Sequence, residues 1–566
     1  PRTAPLTLEP TPFRSPISDP PLRRAELFAA PQLEAHAREL AATPDGEPTA
    51  GFGADGLLPA LESDRIALGD AYALLTGAIE RGSRPTPAAE WFVDNYPLIE
   101  EQIRTARRHL PRGYARQLPT RAGPRIHRLA AELIAHTDGR VDLDTLRVVI
   151  DAYRGVREVT LGELWALPIM LRLGLIAYLR RVVGSITAGR RDRDRAGVWV
   201  ERMTAAALAD VGKVVLVLAD LIRDDPPMSD AFVAELAAGI QGLGTASSFP
   251  HAWLDHQLAE RGQSLDRVLQ RVVQSQAADQ VSIGNAITSL RFLGATDWRS
   301  FVEGSSAVEA TLRADPTEVY PAMDFASRDA YRHVVESLAR RSRRAEAEVA
   351  AAAIALAVER EVHVGAILFG SGRPALEQAI GLRPGLRGLI LRNRFGLYLA
   401  VIGALTAGVA GVLAAVAPTE GLGWLGLASL VPLLLLAGSQ LAVAVVHWAA
   451  TILVPPRLLP RLDFSGGIPP AHRTLVAVPT LLTDAIEIDL LLEALEVRHL
   501  ANADAELGLA LVTDFRDADA AELPGDQALL ARVRDGIDAL NREHAAPGRS
   551  DGPFFLLHRP RRWNPQ

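Results

Sequence analysis

Cysteine is absent from this sequence, which rules out disulfides and thiolate metal sites together. Lysine is nearly absent. Lys213, in the string DVGKVVL, is the single one, so arginine carries almost all of the positive charge. A phosphate-cradling loop needs Gly-Lys-Ser or Gly-Lys-Thr, and the setting of Lys213 excludes it. A basic excess is lacking as well: the formal charge is -7 and the pI about 6.1, which argues against general nucleic-acid binding. The opening residues PRTAPLTLEPTPF hold no continuous apolar run, so no signal peptide is expected there. HRPRRWNPQ carries none of the usual features of a domain end, and the chain is expected to be a piece of a longer protein.

What is present is length and long apolar patterning. At roughly 100 to 200 residues per domain, 566 residues imply about three or four units. Residues 1–60 are rich in Pro, Gly and Ala and read as a tethered arm with one or two short helices in LRRAELFAAPQLEAHARELAA. Residues 61–390 read as an all-helical domain. From about Pro85 to Ala357 apolar residues recur at helical spacing, as in AAEWFVDNYPLIEEQIRTARRHL, where Trp91, Tyr96, Ile99 and Ile103 are placed on one face. LPRGY, HTDGR and RDDPPMSD read as turns between helices. Thr160 with Glu163 forms a capping box at the start of one of them. No repeat of fixed period is evident.

Phe395 to Thr419 then runs for 25 residues without a charged side chain, and Trp424 to Val454 for 31 residues. At ~1.5 Å per residue each outruns a hydrocarbon core of ~30 Å, and a core helix rarely needs to be apolar on every face. Residues 395–455 are therefore expected to be two transmembrane helices. Arg387, Arg392 and Arg394 precede them and Arg457 and Arg461 follow, whereas the connection PTEGLG holds no basic residue. The positive-inside rule places both large flanking regions in the cytoplasm. His447, within the second run, is either an intramembrane functional group or a hydrogen-bonding partner of the neighbouring helix.

Residues 470–566 change period again. RTLVAVPT, LGLALVT and PFFLLHR read as short strands, the first ending at Pro479 and Thr480. AIEIDLLLEALEVRHLA and DQALLARVRDGIDALNREH read as the helices between them. This βαβαβ order predicts a parallel sheet, whose ligands bind outside the carboxyl ends of the strands. Asp514, in LALVTDFRDA, lies at such an end, where a carboxylate either binds a ligand or caps the following turn.

Several strings together resemble the N-terminal part of the bacterial cyclic β-1,2-glucan synthases. They are AAEWFVDNYPLIEEQI, LPRGYARQLP, ELIAHTDGR, GELWALPIMLRLGLI, DQVSIGNAITSLRFLGATDWRSFVE, DPTEVYPAMDFASRDAYRHVVE, GRPALEQAIG, LVAVPTLLT, LVTDFRDA and FFLLHRPRRWNP. The resemblance implies a mainly α fold: a large helical N-terminal domain, two transmembrane helices and the first βαβαβ part of a GT-A-like glycosyltransferase domain. It implies a bacterial inner-membrane enzyme that uses UDP-glucose to build a β-1,2-linked glucan, with membrane lipid, the glucan chain and the synthase regions beyond Gln566 as partners. The donor nucleotide would lie on Val478, Pro479, Thr480, Thr513 and Asp514, with Asp514 accepting a hydrogen bond from the uracil ring. Mg or Mn is implied on the diphosphate, held by a DxD motif, with a separate carboxylate deprotonating the acceptor.

No DxD motif follows a later strand here, so the metal and base residues are expected beyond Gln566. Asp517-Ala518-Asp519 reads as a solvated loop, Asp142-Leu143-Asp144 as a helix cap and Asp192-Arg193-Asp194 as an Arg-rich turn. RPRRW, Arg559 to Trp563, reads as a loop lining the donor site. The arginines of RRSRR, from Arg340, either touch anionic lipid or form a solvated helix face. Asn285, Ser289 and Arg291 form either a buried polar cluster or a glucan contact. Besides the transferase, a non-catalytic membrane-anchored scaffold and one half of a split synthase are the readings that remain.

Overall fold

The computed structural model describes residues 24–43, 56–110, 124–382, 394–416, 423–453, 459–544 and 552–562. These are mainly helical, with one three-stranded sheet near the C-terminus and a single isolated bridge. They form two compact units: Pro1–Thr311 with Arg343–Ala350, and Leu312–Ser342 with Ala351–Gln566. Arg387, Arg392, Arg457, the tip at residues 417–422, most of LPRGYARQLP and residues 1–23 and 44–55 of the expected arm lie outside the described residues.

The first unit holds α1 (Ala30–Ala42), α2 (Leu57–Glu80), α3 (Pro87–Asp94), α4 (Tyr96–His109), α5 (Arg125–His136), α6 (Leu143–Arg154), α7 (Leu161–Ala209), α8 (Val214–Asp224), α9 (Asp230–Gln241), α10 (Ser248–Glu260), α11 (Leu265–Ala295) and α12 (Trp298–Ser305). Thr160 accepts from the Glu163 amide while Glu163 returns a carboxylate to the Thr160 amide, so the capping box starts α7 as expected. The helix then runs for 49 residues, about 74 Å at 1.5 Å per residue. Such a length exceeds any single core, and α7 serves two. Leu164, Leu167, Leu171 and Leu175 bury in a core shared with α2, α4, α5 and α11. Ala196, Trp199 and Met203 bury in a second core with Phe232, Leu236, Leu221 and Leu254.

Three details correct the sequence reading. Asp192-Arg193-Asp194 is not a turn but sits inside α7, where Asp192 accepts from Ser229 Oγ at 2.7 Å and Asp194 from Arg190. Helical i,i+4 pairing satisfies this charge run without breaking the helix. Trp91 does not join the buried face of Ile99 and Ile103: Asn95 ends α3 and begins α4, Pro97 follows, and Phe92 takes the core position while Trp91 is exposed. Within the expected arm, Leu33, Ala37 and Ala41 of α1 are buried in the same core as α5 and α6.

The second unit holds α14 (Phe325–Ser342), α16 (Val364–Leu368), α17 (Arg373–Ala379) and the membrane pair α18 (Arg394–Val416) and α19 (Trp424–Leu453). The helices α13 (Ala307–Leu312) and α15 (Glu346–Glu359) run across the division between the units. Asp315, fully buried, accepts from the amides of Val364 and Tyr320 and from Thr317 Oγ1, which gathers the string DPTEVY around one carboxylate. After α19 the chain returns to this region: Met323 bridges Leu462, Asp324 N donates to the Arg461 carbonyl at 2.9 Å, and Asp463 N donates to that of Ala322 at 2.8 Å.

Both α18 and α19 are long and apolar enough to cross a membrane, and their spans are 6% and 11% buried, unlike the core helix of a soluble domain. They pack through small residues, since Gly438 lies so close to the Thr406 carbonyl that a Cβ there would sit at 3.0 Å from it, with Ala410 and Ala442 buried beside it. His447 Nε2 meets Tyr398 Oη at 2.9 Å, so of the two readings it has the interhelical partner.

Candidate functional site

The parallel sheet is built from β1 (Thr474–Leu482), β2 (Leu507–Phe515) and β3 (Phe554–Arg559), in the order β1-β2-β3. The crossovers are α20 (Ala485–Ala501) and α21 (Asp526–Glu543). Asp484 starts the first by accepting from the amides of Ile486 and Glu487. An ion pair between Asp489 and Arg532 joins the two helices at 2.6 Å. Leu509, Leu511 and Phe515 bury against Ile488, Leu495, Val533 and Ile537, so the odd-numbered positions of β2 face the helices and the even-numbered ones face the other way.

Register then divides the expected donor residues. Val478 pairs with Leu511 and Thr480 with Thr513, which puts these positions on the helix-covered face. Pro479 pairs with Val512 and Leu481 with Asp514, so Pro479 and Asp514 lie on the opposite face. That face is open among the described residues: Leu475, Leu481 and Leu557 are each about half exposed. Strand β1 also continues past Pro479 and Thr480 to Leu482, a correction to its expected end. Among the described strands β1 is an edge, where the missing N–H of a proline is tolerated.

At the carboxyl end of β2 the two faces do different work. Thr513 is buried, and its Oγ1 lies 2.9 Å from His558 Nδ1 on β3. The His558 ring meets Phe515 edge-on at 4.4 Å. Burial pushes the His558 imidazole below the ordinary histidine range, opposed by the Asp514 carboxylate, and its Nε2 has no hydrogen-bond partner among the described residues. On the open face Asp514 accepts from Arg559, with Nε at 2.8 Å from Oδ2 and a second bond from the other guanidinium nitrogen to the same oxygen. Arg561 crosses to the loop after β2, donating to the Arg516 carbonyl at 2.9 Å and to Asp526 at 2.8 Å. Its hydrogen bonds hold the Asp526 carboxyl below the usual carboxylate range.

RPRRW is thus in part the end of a strand. Arg559 is the last residue of β3 and Arg561 fastens the β2–α21 loop, while Trp563 lies outside the described residues. The sequence reading placed Arg559, within RPRRW, beside the expected site but missed His558 and Asp526 as its neighbours. The alternation in FFLLHR was the available signal, since it sends His558 and Arg559 to opposite faces.

The other flagged residues are accounted for locally. Asp142 caps α6 by accepting from the Thr145 amide, as read. Asp517 and Asp519 are exposed, and neither joins a convergent set of metal-ligating side chains among the described residues. Asn285 Nδ2 donates to the Asp138 carbonyl, Ser289 Oγ to that of Gly139, and Ser289 Oγ accepts from the Val141 amide. These bonds hold a tight turn whose Asp138 and Gly139 have φ of 52° and 79°, and Arg291 donates to Asn95. Ser289 is buried and Asn285 half-buried, so these two form a polar cluster of the fold, whereas Arg291 is exposed. Helix α14 ends at Ser342, and Arg343 has a φ of 57°; Arg340 and Arg341 pair with Glu336 and Glu377, and Arg344 lies 3.8 Å from Glu348.

No protein-family model matches this chain. A curated relative does: the chain is 32% identical over 513 residues to "Cyclic beta-(1,2)-glucan synthase NdvB" of Rhizobium meliloti (strain 1021). The alignment takes in 87% of this chain and 18% of the relative, so the chain spans less than a fifth of the protein it matches. Through most of its own length, the chain is related to the cyclic β-(1,2)-glucan synthases.

Proposed function

We propose that this chain contributes the membrane-anchored helical region and the first part of the sugar-transfer domain of a glucosyltransferase that makes β-1,2-glucan from UDP-glucose. In this reading it sits in the bacterial inner membrane with its two large regions cytoplasmic, in contact with lipid, the growing glucan and the rest of the synthase. The observation that carries the donor assignment is the position of Asp514: an acidic side chain on the open face of a parallel sheet, one residue before the end of the central strand. Ligands of such sheets bind there.

Both bonds from Arg559 fall on Oδ2 of Asp514, so Oδ1 is the oxygen for a base edge. A uracil N–H donating to it makes one charge-assisted hydrogen bond, worth ~1.5 to 3 kcal/mol. Arg559 fixes the rotamer, and Thr513, locked to His558, holds the strand end from behind. The ligands of the Mg or Mn of the full reaction and the carboxylate that deprotonates the acceptor are assigned to synthase regions beyond Gln566.

Titration of UDP-glucose against the full synthase in lipid nanodiscs tests the donor role. Asp514→Asn should weaken binding by roughly 10-fold or more, the equivalent of the lost charge-assisted bond, and unchanged affinity overturns it. Residues 1–566 alone should make no glucan from UDP-glucose; product formation by them overturns the assignment of metal and base to later sequence. A second reading rests on the same ion pair, with Asp514 serving only to latch β2 to β3. Arg559→Ala separates the two, because a latch predicts loss of sheet stability with donor affinity following it, not preceding it.

A further inference from the structure

Away from the sheet, in the first unit, three side chains from two helices converge on one point. Glu132 and His136 stand one helical turn apart on α5, and His36 faces them from α1. Glu132 Oε2 lies 3.2 Å from His36 Nε2 and 3.4 Å from His136 Nε2. Ligand atoms of all three lie within 4.8 Å of one another. We propose that His36, Glu132 and His136 form a binding site for a divalent zinc-class cation that cross-links α1 to α5.

The spacing is the first argument. Zinc holds histidine nitrogen and carboxylate oxygen at about 2.0–2.2 Å in a tetrahedron, whose edges are then roughly 3.4 Å long. The two separations across Glu132 Oε2 already match such an edge; the first is a hydrogen bond while no ion is bound, and the second exceeds a hydrogen bond of ordinary geometry.

The tautomer is the second. His136 Nδ1 is 2.7 Å from the Glu26 carbonyl, an acceptor with nothing to donate, so Nδ1 carries the proton. In the neutral ring Nε2 then presents its lone pair toward the carboxylate oxygen, two acceptors facing one another with room for a cation. A backbone carbonyl on the far nitrogen is the support that metal-ligating histidines ordinarily have. The ring is held flat as well, since Phe28 stacks on it at 3.8 Å and 7°, and Phe28 N donates to the His136 carbonyl.

Two histidines and one carboxylate leave a fourth position to water. The site is reached from solvent, with Glu132 39% and His36 25% exposed. Nitrogen and oxygen ligands without sulfur suit zinc over softer ions. The cation would join two segments 96 residues apart in sequence, adding to the α1 packing in the core and to the bond from Arg128 to the Leu40 carbonyl. The other convergent group among the described residues, Glu496, Glu543 and His544, offers a single histidine, and it serves as the internal control.

The test is Zn2+ titration of the purified chain in detergent, after stripping with chelator, with metal content by mass spectrometry and Co2+ as a spectroscopic probe. One Zn2+ per chain is expected, with the d–d absorption of four-coordinate Co2+ and a rise in the unfolding temperature. Glu132→Gln, which keeps the shape and a hydrogen-bond acceptor, should weaken binding by roughly 100-fold or more, and the His36→Ala/His136→Ala pair should abolish it. Glu496→Gln should leave it unchanged. Absence of binding in the micromolar range, or binding that survives Glu132→Gln in a protein with unaltered circular dichroism, overturns the site.

Discussion

Two arginine–carboxylate pairs of the same chemistry occupy opposite environments in this molecule. Arg125 and Glu163, at the starts of α5 and α7, bind through two hydrogen bonds of 3.0 and 2.8 Å with side chains 7% and 3% exposed. Arg559 and Asp514, at the ends of β3 and β2, bind through a single carboxylate oxygen with side chains 80% and 23% exposed. In the first pair every oxygen is committed, because Glu163 Oε2 also accepts from the Thr160 amide. In the second, one oxygen faces the open side of a sheet. A buried charge must be saturated by its own protein, whereas an exposed one has capacity left for a ligand. The difference separates a carboxylate spent on the fold from one whose second oxygen takes no bond from Arg559, as the proposed donor role requires.

That contrast can be broken at several points. Glu163→Ala should have the largest effect, because it strands the Arg125 guanidinium in the core and removes the α7 capping box; a loss of ~3–5 kcal/mol is expected, read as a large drop in the unfolding midpoint of the first unit. Asp514→Asn should cost less than ~1 kcal/mol of stability, as exposed pairs do, while donor affinity falls. If both substitutions destabilise the protein equally, the distinction between the pairs fails.

Acidification sharpens the second half. The half-buried His558 titrates below its unfolded value near 6.5, so the unfolded chain binds the proton first as pH falls. Its contribution is fully present above about pH 6.5 and is lost below it. Amide protection factors in β2 and β3 should fall as pH drops below about 6.5, and His558→Gln should flatten that dependence. Asp279 behaves oppositely: burial lifts its pKa to about 6 against the pull of Arg24. Its contribution is full below about pH 4 and is lost as pH rises to about 6, so Asp279→Asn should reduce the fall in first-unit stability across that interval. The smallest effect is expected in the membrane pair, where Tyr398→Phe removes one interhelical bond worth ~0.6 kcal/mol, measurable by the association of α18 with α19 in detergent.

Much of the α/β portion was legible because period 2 and period 3.6 alternate sharply there. AIEIDLLLEALEVRHLA coincides with α20, and the three strand strings fall on β1, β2 and β3. The site was legible only as an edge. The partner of Asp514 stands 45 residues away, and no local pattern reports a pairing that depends on the register of β2 against β3. The extent of α7 was hidden for a related reason: its charged middle, RRDRDR, has the composition of a turn, and only packing of both ends into separate cores shows that the helix continues.

By itself the sequence determined the run of helices, the two apolar spans and the parallel order of the strands, since each follows from the spacing of apolar residues along a short stretch. Tertiary structure alone decided which face of the sheet each expected donor residue occupies, which carboxylates are saturated, and that His36 stands against Glu132 and His136. Those are contacts between positions far apart in the chain, and they depend on how helices and strands pack, which no local period encodes.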